Sequence, residues 1–256
     1  MAKVTVSIII PTLERPSLQD VLDGIKACEG YEDIVPEILV TKNKTTSRAR
    51  NKGLDHASGD IIVFLGDDTI PKKDWLQKVV AFHETHPEPE AVLLGKVSWP
   101  EKLAADPFHQ WLEQNAQFQW QKLKKQNNSY HFFYTSNISL KKSFIDEEHF
   151  SDDFVGWGFE DTEFGYRLSK KGMQLFYDET CEVLHDHEQT LEGVIKNTKL
   201  ARKNAEIFEK LHPEVNILPR GLKKIILQIT LILSWPFQFL PRVRWWRKWK
   251  KAWANV

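Results

Sequence analysis

The sequence predicts an α/β fold: a mostly parallel sheet with helices packed against its faces. Three observations predict it. Short apolar runs alternate with segments of helical spacing over the first hundred residues. Ile61 to Leu65 is an unbroken apolar run, as a strand covered on both faces requires. Polar clusters, Asp67-Asp68 and His185-Asp186-His187, stand directly after such runs, where open α/β sheets collect ligands.

Taken in order, Val4 to Ile10 reads as a buried strand ending in Pro11-Thr12. Ser17 to Ala27 reads as a helix with its apolar stripe at Leu18, Val21, Leu22 and Ile25. Glu37 to Thr41 is a second strand, Ser47 to Ala57 a helix, and the third strand runs up to Asp67. The next helix begins near Pro71 and continues over Trp75 to His83, with Val79, Val80 and Phe82 turned inward. This βαβαβ order requires parallel pairing. Ala91 to Val97 is a further strand, Phe108 to Lys124 a helix, and Tyr134 to Leu140 a short strand; Lys122 to Asn128 is polar, a loop or frayed helix end. No internal repeat is present. The one boundary falls near Leu218-Pro219, giving a domain over 1–218 and a tail over 219–256.

At 256 residues, with 41% hydrophobic and 27% charged side chains, the chain has the composition of one main globular domain. Cys28 and Cys181 match no metal or redox spacing and are expected to be reduced, buried or incidental, with no disulfide framework. The N-terminus enters an apolar strand after one lysine, without the layout of an export signal. The zero net charge conceals a split: residues 219–256 hold nine Lys or Arg and no acid, a charge of +9, which leaves −9 on the rest. Five of the ten tryptophans are also in this tail, at 235, 245, 246, 249 and 253.

Ile225 to Leu240 is largely apolar but is interrupted by Gln228, Pro236 and Gln238, and its 16 residues fall short of the roughly 20 that a spanning helix needs. Basic residues flank both ends. The cluster from Arg244 to Lys251 would set indoles at headgroup depth with cations toward anionic lipid. The expected partner is an anionic membrane surface, held by a peripheral or monotopic tail on the cytoplasmic face. A core-packing helix with a solvated basic end is the competing reading. A nucleic-acid arm with stacking tryptophans fits less well, because the Ile/Leu content favours lipid, and no nucleic-acid partner is expected.

Adjacent carboxylates at 67 and 68 would repel each other unless a hard divalent cation bridges them to a diphosphate; capping of the following helix is the alternative. Asp161 lies in the first turn of a helix that stops at Gly172, where acids also favour the helix dipole. The preceding Gly156-Trp157-Gly158 presents an aromatic surface on which sugars stack, beside a carboxylate able to take a proton from an attacking hydroxyl. His185 and His187 share one face of an extended segment. They read either as structural residues or as ligands for a transition metal such as Mn²⁺.

These clusters, in this order, resemble the family-2 glycosyltransferases. The resemblance runs from Val4–Thr12 through Arg50-Asn51-Lys52-Gly53, Ala57–Asp60 and Phe64–Asp68 to Ser136-Asn137 and Gly158–Glu163, covering most of residues 4–190. It implies a GT-A, Rossmann-like fold and an inverting enzyme using a nucleotide-sugar donor with Mn²⁺ or Mg²⁺. In that pattern Pro11, Thr12, Glu14 and Arg15 line the nucleotide pocket, and Arg48, Arg50 and Asn51 lie on the donor side. Asp67 contacts the ribose or donor sugar. Asp68 coordinates the metal with His185, or with His187 in its place. Asp161 is the catalytic base, and Trp157, Gly158 and Glu160 hold the acceptor. Two departures stand out. Thr41-Lys42-Asn43 replaces the acidic residue that commonly follows the second strand and helps read a uridine base, and Gly66 stands at the usual first acid of the triplet.

The implied reaction is a single displacement onto a hydroxyl of a glycan or lipid-linked acceptor, in polysaccharide or cell-envelope synthesis. Specificity would reside in pocket shape, above all over residues 99–135. Two other classes use similar parts. A metal-dependent nucleotidyltransferase would carry a glycine-rich, lysine-bearing loop where this chain has Leu13-Glu14-Arg15-Pro16. A non-catalytic membrane scaffold would not need the acids and histidines together.

Overall fold

Ile8, Ile9 and Ile10 are fully buried and form the middle of β1 (Val6–Pro11), the central strand of a parallel trio. β2 (Glu37–Thr41) and β3 (Ile61–Leu65) pair with β1 on its two sides, Pro11 against Thr41 and Ile9 against Phe64. The connections are helical, as the sequence requires. α1 (Leu18–Lys26) and the single turn α2 (Tyr31–Ile34) link β1 to β2, and α3 (Thr46–His56) links β2 to β3. Thr45 caps α3 by accepting from the Arg48 amide at 3.3 Å. Gly53 lets α3 close onto the sheet, since a Cβ there would stand 2.4 Å from Ile9 Cγ2. The computed structural model describes residues 4–123, 129–145 and 148–254.

Pro71, expected near the start of a helix, instead ends a short strand, β4 (Thr69–Pro71); the helix α4 (Trp75–Thr85) begins four residues later. The cause is non-local: β4 pairs antiparallel with the end of β7 (Gln174–His185), setting Thr69 against His185. The buried face of α4 is Trp75, Leu76, Val79 and His83, while Val80 and Phe82 are only half-buried.

β5 (Ala91–Ser98) is followed by α5 (Glu101–Ala104), α6 (Pro107–Asn115) and α7 (Trp120–Leu123). The single helix read over 108–124 is thus broken: Phe118 and Gln119 have φ of 59° and 47°, left-handed values that no continuous helix contains. Lys124 and the rest of the polar stretch to Asn128 lie outside the described residues. A turn at Tyr130–Phe132 delays the next strand, so β6 is Asn137–Lys141, followed by α8 (Lys142–Ile145) and α9 (Glu160–Lys170). β6 inserts antiparallel between β3 and β5, β5 pairs parallel with β7, and the seven strands run β2-β1-β3-β6-β5-β7-β4.

Contacts group the chain into two units: Met1–Asp152 with Asp161–His187, which holds the sheet, and Asp153–Glu160 with Glu188–Val256. The second contains α10 (Leu191–Leu211), α11 (Gly221–Leu233) and α12 (Pro241–Ala254), with α12 packed on α10. Trp253 stacks on Phe159 at 6.0 Å, and its carbonyl accepts from Arg202 at 2.8 Å. Four of the five tail tryptophans are therefore half-buried; Trp235 is exposed. Among the described residues no helix is long and apolar enough to cross a membrane. Cys28 and Cys181 are both buried, and neither is in a disulfide.

Candidate active site

The loop after β3 gathers the polar residues. Asp67 and Asp68 are both buried, 8% and 9% exposed, at the carboxyl end of the central strands. Thr12, whose amide extends the β1–β2 ladder by bonding Thr41 O at 2.9 Å, donates its hydroxyl to Asp67 Oδ2 at 2.8 Å. Ser17 Oγ donates to the Asp67 carbonyl at 2.9 Å. Arg15 lies across the pair, Nη1 at 2.5 Å from Asp68 Oδ2 and Nε at 3.6 Å from Asp67 Oδ1. A guanidinium here relieves the repulsion of two neighbouring carboxylates in a partly dry setting. The absence of a side chain at Gly66 also has a local cause, since a Cβ there would stand 3.0 Å from Asp68 Oδ1 and 3.2 Å from Thr69 Oγ1.

The Thr69–His185 register carries His185 to the same place. Its Nε2 is 3.6 Å from Asp68 Oδ2, and the Asp186 amide donates to the Asp68 carbonyl at 2.9 Å. Burial lowers the His185 pKa, the charge on Asp68 opposes that, and His187 and Arg15 add to the lowering, so the ring is held neutral with a lone pair to offer. Its Nδ1 is buried with no hydrogen-bond partner among the described residues. His187 is exposed, with its ring centroid 6.0 Å from that of His185. Among the described residues no three His, Cys, Asp or Glu side chains converge into an all-protein cation cage. Asp68 and His185 nevertheless fit a divalent cation of the kind that takes one or two protein ligands and completes its shell with phosphate oxygens; imidazole suits Mn²⁺.

An aromatic wall adjoins His185, and sequence reading did not find it. Trp99 meets the His185 ring edge-on at 4.9 Å and Phe118 at 6.0 Å; Phe118 stacks flat on Trp120, and Tyr134 stands edge-on to both. The left-handed backbone at Phe118 and Gln119 is what turns Phe118 into this row. Burial raises the Tyr134 hydroxyl pKa, and the negative charge of Asp161 raises it further. The wall thus runs from His185 to the neighbourhood of Asp161, which is half-buried and accepts from the Thr162 amide at 2.8 Å in the first turn of α9. The only local signal for the wall was the density of aromatic residues between 99 and 134.

The other expected donor residues are engaged elsewhere. Arg48 Nε bonds Asp152 at 3.0 Å, the buried Arg50 lies 5.2 Å over the Phe150 ring, and Asn51 exchanges hydrogen bonds with the Phe150 backbone at 2.9 and 2.8 Å. Pro11 ends β1 behind Thr12, and the exposed Glu14, with φ of 63°, pairs with Lys42 at 2.6 Å.

The Gly156-Trp157-Gly158 loop is built by α10, within the second unit. The Asn204 side chain, 1% exposed, donates to the carbonyls of Val155, Trp157 and Gly158 at 3.2, 3.4 and 2.8 Å and accepts from the Val155 amide at 3.3 Å. Gly156, Gly158 and Phe159 have φ of 79°, 94° and 73°, and a Cβ at Gly158 would meet Ala201 Cβ at 3.0 Å. Trp157 projects 46% exposed, while Glu160 is buried.

An α/β sheet whose β1–β3 trio is parallel, with a buried carboxylate pair at the carboxyl ends of those strands, is suited to handling a diphosphate. The comparisons with known proteins agree. The model of glycosyl transferase family 2 matches residues 15–148, over half of the chain, and that of the N-terminal domain of galactosyltransferase matches residues 118–187. The chain belongs to glycosyl transferase family 2 and carries a glycosyltransferase domain of that family. It is 28% identical over 216 residues to a glucosyl-dolichyl phosphate glucuronosyltransferase of Haloferax volcanii (79% of this chain, 63% of that one). It is also 28% identical over 264 residues to a validoxylamine A glucosyltransferase of Streptomyces hygroscopicus subsp. jinggangensis (82% and 61%). The chain therefore spans under two thirds of the length of these relatives. Its fold is similar to that of a mannosyltransferase from Pyrobaculum calidifontis solved with GDP-Man and Mn²⁺, at a TM-score of 0.58 and 13% identity, covering 100% of this chain and 87% of that one.

Proposed function

We propose that the protein is a metal-dependent, inverting glycosyltransferase that moves a sugar from a nucleotide-sugar donor, a UDP-sugar in the first instance, to a hydroxyl of a glycan or lipid-linked acceptor at a membrane face. The observation that carries this reading is the convergence of Thr12, Arg15, Asp67, Asp68 and His185 on one loop in a family-2 domain. Thr12 and Asp67 would orient the nucleoside and donor sugar, with Pro11 and Glu14 at the pocket's edge. Arg15, already seated on carboxylates, would turn to the diphosphate, with Arg48 as a more distant cation and Arg50 and Asn51 supporting the Phe150 segment behind. A divalent cation held by Asp68 and His185 would neutralise charge on the departing nucleoside diphosphate; His187, exposed, is the alternative ligand.

Asp161 accepts the proton of the acceptor hydroxyl as that oxygen forms its bond to the anomeric carbon and the bond to the diphosphate oxygen breaks, inverting the centre. Trp157, with its exposed indole, would hold the acceptor together with Gly158 and Glu160. The Haloferax relative is named for a dolichyl-phosphate-linked acceptor, which supports a lipid-linked substrate here, and the +9 segment over 219–256 supports docking to an anionic membrane.

Thermal-shift titration with UDP, GDP, CDP and dTDP, each with Mn²⁺, Mg²⁺ or EDTA, tests the donor half. Stabilisation by one nucleotide that needs metal and disappears in Asp68→Ala is the expected result. A folded protein stabilised by none of these would overturn the reading.

A further inference from the structure

α11 is an apolar helix that almost nothing covers. Within it only Leu231 is buried and Leu227 half-buried, one seam of two residues four apart, while Leu222, Ile225, Ile226, Ile229, Ile232 and Leu233 are each at least half exposed. Trp235, Phe237 and Phe239 continue the exposed surface toward α12. Of the seventeen large apolar side chains exposed among the described residues, ten lie between Leu222 and Leu240, so this is a concentrated patch and not the usual scatter.

The hydroxyls of the segment bond to its own backbone, while Gln228 and Gln238 are exposed. Thr230 Oγ1 donates to Ile226 O at 2.7 Å, and Ser234 Oγ donates to Leu231 O at 3.0 Å. Arg247 of α12, 6% exposed, donates to the Leu231 carbonyl and, at 2.6 Å, to Ser234 Oγ, closing the carbonyl end of α11 with a cation. Such closure is common at helix ends in water, and it also meets the stricter need of a helix laid against hydrocarbon, whose polar groups must be closed internally. At 13 residues α11 is roughly 20 Å long, shorter than a bilayer core, and charge brackets it: Lys223 and Lys224 at its start, Arg242 and Arg244 just beyond the segment, and no acid from 219 to 256.

We infer that α11 and the adjoining 234–240 segment lie in the plane of an anionic bilayer with their apolar side chains below the headgroups, while α12 stays above as a basic clamp whose Arg247 fixes the hairpin. The inference rests on the membrane reading proposed above and sharpens it: α11 penetrates, whereas the tryptophan-rich α12, packed on α10, serves as the electrostatic partner.

Flotation of the full-length protein with vesicles of phosphatidylcholine alone, or mixed with phosphatidylglycerol, tests this at low and high salt. Wild type should bind the anionic vesicles and remain on them at high salt. The Ile225→Ser/Ile229→Ser variant should lose that salt-resistant binding by more than roughly tenfold. Arg244→Gln/Lys248→Gln should instead lose low-salt preference for anionic vesicles. A nitrobenzoxadiazole probe on Ile229→Cys should brighten on vesicles, and the same probe on Lys251→Cys should not. Binding that high salt abolishes and the serine variant leaves unchanged would overturn the penetration while leaving the membrane reading standing. A folded wild type that floats with no vesicle would overturn both. A dimer in solution that the serine variant dissolves would assign the patch to a second copy of the chain and overturn the inference.

Discussion

Asp161, the proposed base, is half-buried, accepts from the Thr162 amide and raises the pKa of the Tyr134 hydroxyl beside the aromatic wall. Asp161→Asn keeps the shape and removes the proton acceptor, so kcat should fall by about 10²–10⁴ with donor affinity unchanged, read by steady-state kinetics beside calorimetric nucleotide titration. Near-normal turnover would remove Asp161 from the role. Arg15 gives a second prediction. Because it occupies Asp68 Oδ2, where a cation would bind, Arg15→Gln should tighten Mn²⁺ binding without nucleotide and weaken nucleoside diphosphate binding, both readable by calorimetry. At this scale Asp67, Asp68 and His185 were legible because each closes an apolar run that ends at one edge of the sheet. Asn204 was not: its partners are about fifty residues earlier, and nothing in the local pattern of α10 marks a buried amide aimed at another loop.

At the scale of elements, the same amide makes the Val155–Gly158 loop a dependent of α10. Asn204→Ala would leave three carbonyls and one amide without that partner, at a cost of roughly 1–3 kcal/mol, and should raise KM for acceptor more than it lowers kcat if the loop presents Trp157. Denaturant unfolding and acceptor-dependent kinetics check the two halves. α4 yields a pH prediction. His83 bonds Ser139 Oγ at 2.9 Å through Nε2, and burial first, then the charges of Lys141 and His86, bring its pKa down to about 3. The unfolded chain then binds the extra proton below about pH 6.5, so stability should fall as pH drops from about 6.5 toward 5, before most carboxylates titrate, and His83→Gln should flatten that slope. Periodicity found β1, β2, α3 and the start of α9. It failed at β4, which exists only because β7 pairs with it, at the antiparallel insertion of β6, and at Ala116–Gln119, where two left-handed residues cut an otherwise helical composition.

For the whole molecule, the charge split was plain in the sequence, but composition cannot say how a tail divides its surfaces. The cut at Leu218-Pro219 separates a +9 segment from a −9 remainder, yet it also separates α12 from α10 and Trp253 from Phe159. If 219–256 served only as a membrane hook, a chain ending at Leu218 would keep its melting temperature. The packing requires a different result. Loss of α12 withdraws the ring stacked on Phe159 and the carbonyl that accepts from Arg202, while the Asn204-held loop sits on the same helix. Truncation should therefore lower Tm by several degrees, at roughly 2–4 °C per kcal/mol for a chain of this size, and Trp253→Ala in the full chain should reproduce part of the shift. Ile225→Ser/Ile229→Ser, which alters only the uncovered face of α11, should leave Tm nearly unchanged. Calorimetry of the three proteins separates the roles: a shift in the first two without the third assigns α12 to the fold and leaves α11 for the surface it meets.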